Sequence, residues 1–220
     1  MADRRRYVVI DPSRAGAVAI VSIFVTLVCA LPGRYQLVPQ WVILGDAILL
    51  VAALLAALFT PSLSPARRFE HRAALAAVGI AVAIVCIELT NILRLLAFAP
   101  NSLKPFPLFQ TSIALWVANA LVFTMAYWLL DGGGPDRRAS GSAKYFDLDF
   151  PARSDPGKVL PGWQATIVDY LFVAFTANTS FGPTEAMPLT QAAKSLVMLQ
   201  ALISLITIAV VAARAIGATG

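Results

Sequence analysis

Long apolar runs separated by short charged or Pro- and Gly-rich breaks divide this chain. The runs cover about 15–31, 41–60, 73–98, 110–130 and 192–216. Each is close to the ~20 residues that cross a hydrocarbon core as an α-helix. Pro32-Gly33-Arg34-Tyr35 separates the first two, a basic loop with Arg67, Arg68 and Arg72 follows the second, and Pro100, Pro105 and Pro107 keep the third connection from being helical. A sixth run, 168–175, is interrupted only by Asp169 and is long enough for about two helical turns. A half-length helix, a hydroxyl-rich turn and then a full-length helix predict a re-entrant loop followed by a span. Irregular backbone survives at membrane depth only where protein buries it or water lines it, so the pattern points to a pore or a midplane binding site. The expected fold is an all-α polytopic membrane helix bundle of five transmembrane helices plus one short re-entrant helix and its loop.

Composition agrees with that class. Hydrophobic residues make up 59% of the 220 and charged residues 13%, about half the charged fraction of an ordinary soluble domain. Residues 1–131 read as a four-helix membrane region, 132–163 as a polar Gly/Pro-rich linker, and 164–220 as the re-entrant element with the last span. Within the linker, Tyr145, Phe146, Leu148 and Phe150 form a partly apolar patch suited to the headgroup region or to docking on the bundle. Arg4, Arg5, Arg6 and Arg14 before an apolar run imitate a secretory signal. The run exceeds the ~7–15 residues of a signal core and no Ala-x-Ala site follows, so it reads as the first span.

Candidate chemistry is sparse. Cys29 and Cys86 both fall inside apolar runs without metal-ligand neighbours, and His71 is the sole histidine, beside Arg72 in a charged loop. A Ser-His-Asp hydrolase needs a histidine held against a nucleophile, and nothing here supplies that arrangement. Gly132-Gly133-Gly134 has no strand before it, which argues against a phosphate-binding loop. The expectation is therefore no enzyme, no cofactor, no metal and no nucleic acid. The net charge of +5 is of the kind that fixes membrane orientation, and the bilayer itself is the first partner.

Asp46, Glu88 and Arg94 lie within predicted spans, where an uncompensated charge costs at least ~2.5–3.5 kcal/mol. Spans two and three run antiparallel, so an Asp46–Arg94 ion pair is expected. Glu88 lies deeper, with Asn91 about one turn further along and Asn119 of span four at comparable depth. Two readings stand for Glu88: an ion or proton site, or a hydrogen-bonded carboxyl that holds helices together.

The stretch Phe175-Thr176-Ala177-Asn178-Thr179-Ser180-Phe181-Gly182-Pro183-Thr184-Glu185-Ala186-Met187-Pro188, with the helix after it, resembles the pore loop and inner helix of tetrameric potassium channels. Against the pattern Phe-Thr-Thr-Leu-Thr-Thr-Val-Gly-Tyr-Gly-Asp-Ile-Val-Pro, Phe175, Thr176, Thr179, Gly182 and Pro188 coincide, while Ser180 and Glu185 are chemically close. The similarity covers roughly 164–216. It implies a pore helix ending near Ala177 and Asn178, and a filter at Thr179, Ser180, Phe181, Gly182, Pro183, Thr184 and Glu185. Hydroxyls of Thr179 and Ser180 and carbonyls of Ser180, Phe181 and Gly182 would replace water around a monovalent cation. Phe181 would point behind the filter, and Glu185 would form a ring of charge at its mouth. Pro183 and Thr184 stand where the family has Tyr and its second Gly. Proline fixes φ and lacks an N–H, so a cation pathway with weak discrimination between potassium and sodium is what the resemblance implies. One chain supplies one loop, and conduction then requires a homo-oligomer, most simply a tetramer.

Orientation follows from charge. With four spans before the loop and a re-entrant segment after it, 13 Lys and Arg collect on one side against three (Arg34, Lys104, Arg214) on the other. The positive-inside rule makes the richer side, with the N-terminus, cytoplasmic in a cell (inner) membrane. Potassium channels carry the filter on the opposite face, so the side on which this filter opens stays open. Two further readings remain: a non-conducting structural or ligand-binding hairpin, and a small transporter with a broken helix.

Overall fold

With no water to hydrate peptide groups in hydrocarbon, an apolar chain satisfies its backbone within helices. The computed structural model describes residues 13–33, 35–59, 65–99, 104–154, 163–179 and 186–217. In chain order these form α1 (Ser13–Cys29), α2 (Gln40–Phe59), α3 (Pro65–Phe98), α4 (Pro105–Leu130), α5 (Pro135–Ala139), β1 (Leu148–Asp149), α6 (Pro151–Ser154), α7 (Ile167–Asn178), β2 (Met187–Pro188) and α8 (Gln191–Gly217). The protein is all-α apart from the short β1–β2 ribbon. Three helices, over Ala66–Phe98, Pro105–Gly133 and Gln191–Ala212, are long and apolar enough to cross a membrane. The stretches Arg14–Cys29, Gln40–Ala56 and Ile167–Asn178 are shorter apolar helices. All five expected crossings are thus helical, and length and composition qualify three of them.

α4 is the axis of the bundle. It packs against α1, α3, α7 and α8, while α2 rests on α1 and α3. Every residue from Ala118 to Leu129 is buried, as expected of a helix that is apolar all round. Pro105 and Pro107 lie in its first turn, where missing N–H groups cost nothing. Its end is set by Gly132, Gly133 and Gly134, whose φ values of 63°, 74° and 104° suit residues without a Cβ.

Ionic contacts fix which helix ends lie together. Asp136, just beyond α4, pairs with Arg14 at the start of α1 and, at 2.7 Å, with Arg67 at the start of α3. At the opposite end, the Tyr35 hydroxyl between α1 and α2 meets the backbone of Lys104 between α3 and α4. The first four helices therefore alternate in direction. α3 begins eight residues before the apolar run that predicted it, because Arg67 and its neighbours form a helical turn held by Asp136.

Candidate functional site

The site begins with the entry of α7. Thr166 and Asp169 form a capping box: Thr166 N–H donates to Asp169 Oδ2 at 2.6 Å, and the Thr166 side chain serves the first turn in return. Asp169, the one interruption in that apolar run, is thus a helix start signal. α7 then runs 12 residues, about 18 Å, between α4 and α8.

Its C-terminus is held by side chains from both neighbours. Asn119 Nδ2 of α4 donates to Asn178 Oδ1 at 2.8 Å and to the Gln200 carbonyl at 3.1 Å. Gln200 Nε2 of α8 donates to Asn178 Oδ1 at 2.9 Å and to the Ala174 carbonyl at 2.7 Å, and its Oε1 accepts from the Tyr127 hydroxyl at 2.6 Å. Asn178 Nδ2 in turn donates to the Trp116 carbonyl at 2.8 Å. Ser204 Oγ donates to the Asn178 carbonyl at 2.5 Å and accepts from Trp116 Nε1 at 2.9 Å. Asn119, Asn178, Gln200 and Ser204 are fully buried. Trp116 also meets Phe175 edge-on at 5.9 Å. A buried network of this kind fixes one geometry, because any displaced member leaves polar groups unpaired.

Asn119 and Trp116 lie near the middle of α4, so α7 stops at mid-bundle. The chain next appears at the end where α7 began. β2 pairs antiparallel with β1, Leu148 opposite Pro188 and Asp149 opposite Met187. Two carboxylates fasten both flanks there. Asp131, fully buried, accepts from the backbone N–H groups of Asp147 and Leu148, from the Tyr170 hydroxyl of α7 at 2.7 Å, and from Arg153 at 2.9 Å. Asp147 accepts from Gly132 N–H and from the Thr190 hydroxyl at 2.7 Å, and its carbonyl accepts from Leu189 N–H. Thr190 Oγ1 accepts from Ala193 N–H in the first turn of α8. Residues 131–154 are thus docked on the bundle, clamping the start of α7 and the start of α8 to the end of α4.

Thr179 directly follows α7, its hydroxyl donating back to the Phe175 and Thr176 carbonyls. Ser180, Phe181, Gly182, Pro183, Thr184 and Glu185 lie outside the described residues. The other singled-out residues fall in three separate places. Glu88, fully buried, accepts from the backbone N–H groups of Leu37 and Val38 at 2.9 and 2.8 Å, just before α2. Asn91 Nδ2 donates to the Tyr35 carbonyl at 3.1 Å, so both side chains tie one connecting segment to α3. Asn119 belongs instead to the α7 network. The expected Asp46–Arg94 pair does not form: Arg94 turns to Asn91 Oδ1 at 3.5 Å, and Asp46 Oδ1 has no hydrogen-bond partner among the described residues. The reason is stagger. α2 begins beside Glu88 rather than beside the end of α3, so Asp46 faces the level of Val78 and Ala81.

Gln200, Tyr127, Ser204, Asp131 and Asp147 were not singled out from sequence. Gln200 carried a signal, as an amide in the middle of an apolar run. Among the described residues no cluster of three or more His, Cys, Asp or Glu could hold a metal ion. No protein-family model, curated protein or solved structure matches the chain.

Proposed function

We propose that this is an integral membrane protein whose 164–190 hairpin enters and leaves the bilayer on one face and lines a cation pathway in an oligomer. The observation that carries the reading is the half-length helix α7: it ends in a buried polar network at mid-bundle, while its two flanks are clamped together at one end of α4. A helix C-terminus carries negative partial charge, which favours a cation beyond Asn178. In this reading the sequence from Thr179 to Glu185 would supply the hydroxyls, carbonyls and one carboxylate for it. The likeness of this stretch to potassium-channel pore loops supports the same reading. The outer faces of α7 and α8 present Phe172, Phe175, Met198, Leu202 and Leu205 as exposed apolar side chains, and these suit lipid or neighbouring subunits.

Orientation is part of the proposal. The hairpin opens at the end shared with Arg14, Arg67 and Arg153, the end richer in Lys and Arg, and the charge rule makes that face cytoplasmic.

The second reading, a non-conducting hairpin, is favoured by one contact. The Asn178 carbonyl, which would face an ion, accepts from Ser204 within the same chain. Purified protein in planar bilayers separates the two. The cation reading expects currents with weak preference between potassium and sodium, reduced by Glu185→Gln most visibly at low salt, where a surface charge is least screened. Silent bilayers from verified tetramers would favour the structural hairpin, and anion currents would overturn the cation reading.

A further inference from the structure

On the face of α4 away from α7, helices α1 to α4 line a partly open cavity of about 20 Å³. That is room for about one water molecule. Its walls include Ile20 and Phe24 of α1, Leu50 of α2, Ala81 of α3, and Leu121 and Met125 of α4. Among the described residues Asp46 is the one polar side chain on the lining. It is 8% exposed, and Oδ1 has no hydrogen-bond partner among the described residues.

Among the described residues of α1, α2, α3 and α4, no Lys, Arg, His or second acid borders the cavity. Arg94 lies thirteen residues beyond Ala81 on α3, roughly 20 Å away by helical rise. Intramembrane carboxyls without a partner mark ion or proton sites by default. Size and ligand number choose between those. Hard metal cations take about six oxygen ligands, whereas the described lining offers one carboxyl and space for about one water molecule.

We propose that Asp46 is a proton-binding site, its carboxyl taking up a proton inside the water-sized cavity among α1 to α4. The proton neutralises a carboxylate that no described group compensates, and the acid O–H can donate to one water in the cavity. Glu88 makes the contrast within the same bundle. Its carboxyl oxygens accept from two backbone N–H groups, which are donors only and offer no acceptor to an acid O–H. The proposal does not depend on conduction, because the cavity and the α7 network lie on different faces of α4 and share no residue.

The test uses the full chain in liposomes with dicyclohexylcarbodiimide, a lipid-soluble reagent that adds to protonated carboxyls, and peptide mass spectrometry locates the adduct. The expected result is an adduct at Asp46 that declines as pH rises, with none at Glu88. In parallel, infrared spectra of wild type and Asp46→Asn are compared across a pH titration. A protonated-acid carbonyl band should be present in wild type and lost in the variant. If wild type and Asp46→Asn show the same acid-carbonyl bands at every pH, or if Asp46 takes no adduct at any pH, the assignment is overturned. The wild-type adduct keeps the test decisive even if Asp46→Asn folds poorly.

Discussion

Gln200 is the side chain on which the interior of the hairpin depends most. It joins three helices, through Ala174 and Asn178 of α7 and Tyr127 of α4. Gln200→Leu leaves an amide oxygen, a carbonyl and a phenol short of partners in a buried place. A loss of about 1–3 kcal/mol is expected, because an unsatisfied buried group costs its full desolvation. Thermal unfolding in detergent measures it, and a change near zero would show the network to be incidental. Asp131→Asn should cost roughly 3 kcal/mol or more, since Arg153 and Tyr170 lose their shared carboxylate. At this scale the sequence was only partly legible. Asn119 and Glu88 stood out as polar residues in apolar runs, but which groups they meet depends on how far one helix is staggered against another. The absent Asp46–Arg94 pair is the same lesson, because alternating direction says nothing about stagger.

Among the elements, α7 depends on a close approach to α1. A Cβ added at Gly16 would lie 2.5 Å from Ile167 Cγ2, and a β-branched side chain has little freedom to move aside. Gly16→Ala should therefore destabilise the protein by about 1–3 kcal/mol through overpacking. Gly16→Ala combined with Ile167→Ala should recover most of that loss. Equal instability in single and double variants would mean that α1 and α7 do not touch as described. The long helices were legible because each apolar run matches a membrane thickness. α7 was legible too, as a run too short to cross. The docked segment from Asp131 to Ser154 was not, because its structure rests on single carboxylates meeting backbone N–H groups from distant residues. Gly and Pro content announces only the breaks between its turns.

For the whole molecule, one chain sets one α7 beside an exposed apolar face of α8, so the proposed cation pathway would need several copies. Mass measurement of the purified protein in detergent should give an oligomer, most simply fourfold; a stable monomer would leave the hairpin a structural feature. Sidedness is the more direct question, because the account stands on a segment that goes in and comes back. The deciding measurement is labelling with a membrane-impermeant maleimide in a chain whose Cys29 and Cys86 are replaced by serine. Gln164→Cys, Gln191→Cys and Lys104→Cys are introduced singly, each at an exposed position. Positions 164 and 191 should react from the same face, the one shared with the start of α1, and position 104 from the other. Labelling of 164 and 191 from opposite faces would make 165–190 a full crossing and contradict the account.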